Sequence, residues 1–209
     1  MIAVDGPAAS GKGTIARALA EHFGLPHMDT GMLYRSVALN LWRWGGDPAS
    51  EFEALRACEA VAANPSDDPE LRSEAVSSIA SRISAYPSVR AALLDRQKEF
   101  AGRPGGAVLD GRDIGTVIAP EATAKLYVTA SAEVRAQRRV RELLARGIPA
   151  HFEDVLIDIE ARDARDSGRT AAPLQKASDA LLLDTSDLMV EEAVAEAIRL
   201  VSQRVAENT

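Results

Sequence analysis

A chain of 209 residues, 46% of them apolar, matches one α/β domain with room for a small insertion and can fill a sizeable core. Its 24 Lys and Arg stand against 31 Asp and Glu, a net charge of −7, which excludes a broad electrostatic grip on nucleic acid and leaves any phosphate site to local residues.

In chain order, the apolar run Ile2 to Val4 precedes a Gly-containing loop and a helical pattern from Lys12 to Phe23. His27-Met28-Asp29 is a second short entry, followed by a helix from Leu33 to Trp44. Residues 45 to 87 are helical and polar, interrupted by Asn64-Pro65-Ser66-Asp67-Asp68-Pro69, and read as an inserted subdomain with a central turn. A helix from Val89 to Phe100 leads to the runs Ala107 to Leu109 and Lys125 to Val128, which suit strands buried on both faces of a parallel sheet. Helices from Ala132 to Arg146 and Phe152 to Asp166 are separated by Gly147 and Pro149, the pattern of a hinged lid. The run Leu181 to Leu183 and a helix from Val190 to Val205, with Val190, Val194, Ala197, Ile198, Val201 and Val205 on one face, close the chain.

Strands alternating with helices predict an α/β doubly wound parallel sheet of about five strands, with ligands beyond the C-terminal strand ends. One domain is expected, with a core of 1–44, 88–145 and 170–209, an insertion of about 45–87 and a lid of about 146–169. Cys58 is the only cysteine, so internal disulfides and cysteine metal clusters are excluded, and it reads as core filler. No apolar run approaches the ~20 residues of a membrane helix, and Met1 to Asp5 lacks the length and basic flank of a signal peptide. The expectation is a cytoplasmic protein without membrane or nucleic-acid partners.

Gly6-Pro7-Ala8-Ala9-Ser10-Gly11-Lys12-Gly13-Thr14 follows a strand and opens a helix, the context a P-loop requires. Gly6 and Gly11 allow the tight bend that turns successive amides toward phosphate oxygens, and Lys12 supplies a mobile cation for the β- and γ-phosphates. Gly13 stands where a metal-binding Ser or Thr usually follows the lysine, and Gly-Lys-Gly-Thr resembles nucleoside monophosphate kinases more than GTPase switches. A metal would then be held mainly by phosphates and water, with Asp110 the nearby acid.

Thr30, after Asp29, could cap a helix, and Arg35, a turn later, could reach a phosphate beside the P-loop or be an ordinary surface arginine. Asp110-Gly111-Arg112-Asp113-Ile114-Gly115-Thr116 gathers charge and glycine at another strand end, a density that packing rarely requires. Together with Tyr34-Arg35, Thr129-Ala130-Ser131 and Arg162-Asp163-Ala164-Arg165-Asp166, in this order and over nearly the whole chain, these segments resemble the bacterial cytidylate kinases of the P-loop nucleoside monophosphate kinase superfamily.

The resemblance implies a P-loop NTPase-type fold with a short monophosphate-binding insertion, transfer of the γ-phosphoryl group of ATP to CMP or dCMP, Mg²⁺ as cofactor, and small nucleotides as the only partners of a monomer. It implies that Gly6 to Thr14 hold ATP and that Thr30, Arg35, Ser81, Arg90, Arg112, Asp113, Arg162, Asp166 and Arg169 surround the CMP. Longer members carry a small antiparallel sheet in the insertion; the stretch from Ala63 to Glu70 is too short for it, so a compact helical insertion is expected.

Arg162, Arg165, Asp166 and Arg169 are spaced to share one helix face. A solvated stripe explains that spacing, and so does a phosphoryl-transfer site, which needs several guanidinium groups and must exclude water on closure. On the second reading Lys12, Arg162, Arg165 and Asp110 are catalytic. Arg135, Arg138 and Arg139 flank an ATP base or form a basic helix face, and stay outside the expected site. The competing readings are another small-molecule P-loop kinase, of adenylate or shikimate type, and a non-catalytic nucleotide switch; the Asn-Lys-x-Asp guanine signature of such switches is absent, since the chain has no Asn-Lys pair.

Overall fold

The computed structural model describes residues 1–61 and 68–207, so of the turn expected at Asn64 to Pro69 all but Asp68 and Pro69 lies outside the described residues. Five strands form one all-parallel sheet in the order β2-β3-β1-β4-β5: β1 Ile2–Asp5, β2 His27–Asp29, β3 Val108–Gly111, β4 Ala124–Thr129 and β5 Leu181–Asp184. Pairing aligns Asp29 with Asp110 and Asp5 with Gly111, so three strands deliver their last residues to one edge. Every residue of β1 and β3 is buried, as their apolar runs predict. The edge strand β5 departs from that expectation: it has a neighbour on one side only, and Leu182 is exposed.

Eight helices complete the described fold: α1 Lys12–Phe23, α2 Thr30–Arg43, α3 Glu51–Glu59, α4 Glu74–Ile83, α5 Pro87–Ala101, α6 Ala132–Ala145, α7 Phe152–Gly168 and α8 Val190–Glu207. α2 begins three residues earlier than its apolar pattern predicts, directly at the strand end. α5 begins at Pro87, whose fixed φ and missing N–H suit a first helical position. Ser50 and Ser73 cap α3 and α4 by accepting from Glu53 and Val76 amides. Among the described residues of 45–87 there is a 3₁₀ turn, Pro69–Arg72, and no strand.

On one side Val4, Leu126, Ile15, Leu19, Ala197 and Val201 bury α1 and α8 against the sheet. Val190, expected on that α8 face, is exposed instead at the helix start. Opposite, Leu109 packs with Ile114 and Ile118 of a single π turn, Ile114–Ile118, that the sequence pattern does not reveal. A further apolar cluster joins Leu33 and Leu41 of α2 to Val76 and Ile83 of α4 and Leu93 of α5. Burying each such leucine is worth roughly 1.5–3 kcal/mol, enough to fix the insertion helices beside the strand ends. Cys58 belongs to this cluster and donates to the Ala54 carbonyl; burial pushes its thiol up to about 11, in keeping with core filler.

Candidate active site

The loop between β1 and α1 is shaped by two glycines. A Cβ on Gly6 would lie 2.0 Å from the Val128 carbonyl oxygen, so only glycine lets the loop pass β4. Gly11, at φ 88°, is the N-cap of α1 and turns the first helical amides outward, where they favour anions. Lys12 folds back to donate to the Pro7 carbonyl at 3.2 Å. Burial, then the neighbouring Arg112 and Arg162, lower its ammonium to about 7 despite Asp110 and Asp29. An anion placed beside it would favour the charged form.

Two residues outside the expected site secure this loop. Arg135, buried, donates to the carbonyls of Ala130 at 2.9 Å and Ala8 at 3.4 Å and pairs with Asp163 of α7 at 2.6 Å. Thr185, just after β5, donates to the Ser10 carbonyl at 3.1 Å. An arginine in a basic helix carries no sign of this role, because Ala8 and Asp163 lie far off in the chain. Arg138 binds Thr185 rather than solvent, and Arg139 pairs with Glu74 of α4.

Thr30 is not a helix cap. It is the first residue of α2, its hydroxyl donates to the Asp110 carbonyl at 2.9 Å, and Asp29 occupies the cap position. The bond ties α2 to β3, while the Asp110 carboxylate meets His27 at 2.7 Å. Arg35 lies half-buried on the same side; burial lowers its pKa, Asp29 opposes this, and Arg139, Arg112 and Arg72 add positive charge. Arg72, from the 3₁₀ turn, is a cation that the sequence reading passed over.

From the other wall α7 projects Arg162 and Asp166. Arg112 donates to Asp166 at 2.8 Å, with Arg169 at 3.7 Å and Arg162 at 4.0 Å from the same carboxylate. Burial alone would raise the Asp166 carboxyl, yet these three arginines hold it below its ordinary value. Burial and repulsion from Arg112 lower Arg162 to about 9. The expected four-residue stripe divides: the helix ends at Gly168, Arg169 is extended and donates to Ser84, and Arg165 stands exposed at the rim.

Deeper in, Arg90 forms a buried ion pair with Asp113 and lies 5.9 Å above the Tyr34 ring. Burial raises the Asp113 carboxyl although Arg90 and Arg169 oppose it. The Ser81 hydroxyl and Arg169 Nη2 are buried here without a hydrogen-bond partner, which is costly unless a ligand supplies one.

One cavity of about 760 Å³ joins these parts, with Lys12 at one end and Ser81, Arg90 and Asp113 among its lining. Thr30, Arg35, Arg112, Arg162, Arg165, Asp166, Arg169 and Asp110 line it too. A second cavity of about 270 Å³ lies against the same loop, between Arg138 and Arg139 on α6 and Leu188, Met189 and Val190 before and within α8. Arg138 and Arg139 are the pair that the sequence placed either beside an ATP base or on a basic helix face, whereas Leu188 and Met189 carry no motif because they are isolated apolar side chains in a loop.

A parallel sheet with an amide-lined loop between its central strand and first helix defines a P-loop NTPase-type fold. The chain belongs to the cytidylate kinase family, whose sequence model matches residues 2–203. It is 55% identical over 201 residues to a protein named cytidylate kinase from Methylocella silvestris, covering 96% of this chain and 93% of that one. Cytidylate kinases of Xanthobacter autotrophicus and Caulobacter vibrioides are 55% and 51% identical over 208 residues, with at least 98% of each chain covered. The crystal structure of an uncharacterized protein from Eubacterium ventriosum superposes with a TM-score of 0.56 at 14% identity over 97% of both chains, a likeness of fold.

Proposed function

We propose that this protein transfers the γ-phosphoryl group of ATP to CMP or dCMP, giving ADP and CDP or dCDP. The observation that carries the reading is the buried Arg90–Asp113 pair beside the unpartnered Ser81 hydroxyl, in the same cavity as Lys12. Cytosine offers an N4 amine that donates and N3 and O2 that accept. Asp113 can take the amine proton, and Arg90 and Ser81 can serve the acceptors. Uracil would set its O4 against the carboxylate, a polar mismatch of the kind that discriminates strongly.

Gly6, Pro7, Ala8, Ala9, Ser10, Gly11, Lys12, Gly13 and Thr14 would bind the ATP phosphates, with the adenine in the smaller cavity. Arg35 and Arg112 would fix the acceptor phosphate, and Asp166 and Arg169 the sugar and base side. An oxygen of the acceptor phosphate attacks the γ-phosphorus, the bond from γ-phosphorus to the β–γ bridging oxygen breaks, and ADP leaves with that oxygen. A phosphate dianion needs no general base, so in-line placement and neutralisation of spreading charge by Lys12, Arg162 and Arg165 account for catalysis.

The described residues contain no cluster of three metal-ligating side chains, while Asp110 places a hard carboxylate beside Gly13 and the phosphate loop. That donor set suits a hydrated Mg²⁺ held chiefly by phosphates, which would shield their charge, with Asp110 orienting its water shell. In this reading residues 1–44, 88–145 and 170–209 are the rigid core, about 45–87 the acceptor insertion and about 146–169 the lid, in a cytoplasmic monomer acting on small nucleotides. No described helix is long and apolar enough to cross a membrane.

Turnover of ATP against CMP, dCMP, UMP, AMP, GMP and shikimate tests the proposal. CMP and dCMP should lead UMP by at least tenfold; faster turnover of AMP or shikimate overturns it.

A further inference from the structure

Asp5 ends β1 immediately before the P-loop, is 5% exposed, and lines neither cavity. Its Oδ1 accepts from the Ile114 amide at 2.8 Å and its Oδ2 from the Gly115 amide at 2.7 Å. Those two residues open the π turn that starts at Asp113, whose carbonyl accepts from Val117 and Ile118. The first amides of any helical turn lack an acceptor within it, and a carboxylate from the neighbouring strand supplies one for each. The approach is close: a Cβ on Gly115 would lie 3.3 Å from Asp5 Oδ2 and 3.1 Å from Cδ of Lys125.

We propose that Asp5 is a positioning residue that fixes Arg112 and Asp113 relative to the phosphate loop, and so sets cytosine specificity without touching either nucleotide. The inference rests on the cytidine reading of the Asp113 pocket. β1 and β3 cease pairing at Asp5 and Gly111, so beyond them the strand ladder no longer holds the loop that carries Arg112 and Asp113. Asp5 replaces that ladder, with Gly6 next to it on the donor side and Asp113 next to Ile114 on the acceptor side. The placement has a cost, since burial and, less strongly, Asp113 raise the Asp5 carboxyl to about 6 although the two amides and Arg112 oppose them. A purely apolar contact would hold the sheet without that cost, whereas bonds to two named amides also fix the direction of the turn.

Asp5→Asn keeps the shape but turns an amide donor toward a backbone N–H. KM for CMP should rise at least tenfold while KM for ATP stays within threefold, and the CMP-to-UMP ratio of kcat/KM should fall at least tenfold. Hydrogen exchange of the Ile114 and Gly115 amides should quicken at least tenfold, with the α1 amides unchanged. Gly115→Ala, which keeps the carboxylate but crowds it, should give the same split and decides the matter if the first variant does not fold. A folded variant whose CMP and ATP constants worsen together, or whose CMP-to-UMP ratio is unchanged, overturns the proposal. A wild-type enzyme that does not prefer CMP overturns the cytidine reading instead, and the exchange measurement separates that failure from this one.

Discussion

The two ends of the main cavity are built on different principles. In the proposed reading the donor end is the loop Gly6 to Thr14, of which Ala8, Ala9, Gly11, Lys12, Gly13 and Thr14 line the cavity, and its binding groups would be backbone amides and one lysine. The proposed acceptor end gathers Arg35 from α2, Ser81 from α4, Arg90 from α5, Arg112 and Asp113 from beyond β3, and Arg162 and Asp166 from α7. Amides are fixed by the fold and need no counterion, while each buried arginine needs a carboxylate. Damage at the donor end should therefore appear in turnover and ATP binding with stability unmoved, and damage at the acceptor end in stability and binding together.

The largest expected effect lies at the donor end. Lys12→Ala should lower kcat/KM about 10³-fold, since the ammonium acts on charge that grows in the transition state. Its desolvated charge contributes no stability to the free protein, so thermal unfolding should not move downward. Retention of more than about a tenth of wild-type kcat/KM, a loss under ~1.4 kcal/mol, removes the lysine from the mechanism.

Asp113→Ala tests the opposite behaviour. It strands Arg90, whose side chain is only 11% exposed, and breaking a buried pair from one side costs about 3–5 kcal/mol. For a chain of this size the melting temperature should fall by roughly 10 °C. kcat/KM for CMP should fall about 10²-fold and that for UMP much less. A stable variant with unchanged CMP preference would show that the pocket reads another base.

The same contrast explains what was legible in the sequence. The donor loop is a local motif, and its strand-loop-helix context is visible because Ile2 to Val4 and Ile15 to Leu19 keep their apolar patterns. Family resemblance supplied the scattered acceptor positions; geometry adds that Asp166 is the shared counterion of three arginines, where spacing drew a helical stripe through Arg169. What stayed hidden depends on contacts between distant residues: the Asp5 bonds to the π turn, the Arg135 clamp on Ala8, and the placement of Arg72. A buried arginine and a surface arginine are the same letter until the chain folds.

A smaller effect follows from the Lys12 ammonium, lowered to about 7 in the free protein. Phosphates favour its charged form, so the bound pKa is higher and ATP binding takes up a proton between the two values. Affinity should be full below pH 7 and fall about tenfold toward pH 8.5. Calorimetry at pH 8 in buffers of differing ionisation enthalpy should register the uptake, and Lys12→Met should abolish it. Proton release, or no buffer dependence, would mean that the lysine is already charged.

The smallest expected effect separates two substrates at one residue. Asp166 is committed chiefly to Arg112, yet a carboxylate has about four lone-pair sites, leaving capacity for a sugar hydroxyl. CMP carries a 2′-hydroxyl and dCMP does not, so a bond there favours CMP alone. Asp166→Asn keeps the volume and the Arg112 contact but weakens the acceptor and unbalances three arginines. Both substrates should lose affinity through those arginines, and CMP should lose an extra three- to tenfold, the worth of one hydrogen bond of about 0.5–1.5 kcal/mol. The ratio of kcat/KM for CMP and dCMP isolates that bond, because the arginine disturbance is common to both. Equal losses would leave Asp166 as a counterion only, and the acceptor end would then read the base and phosphate but not the sugar.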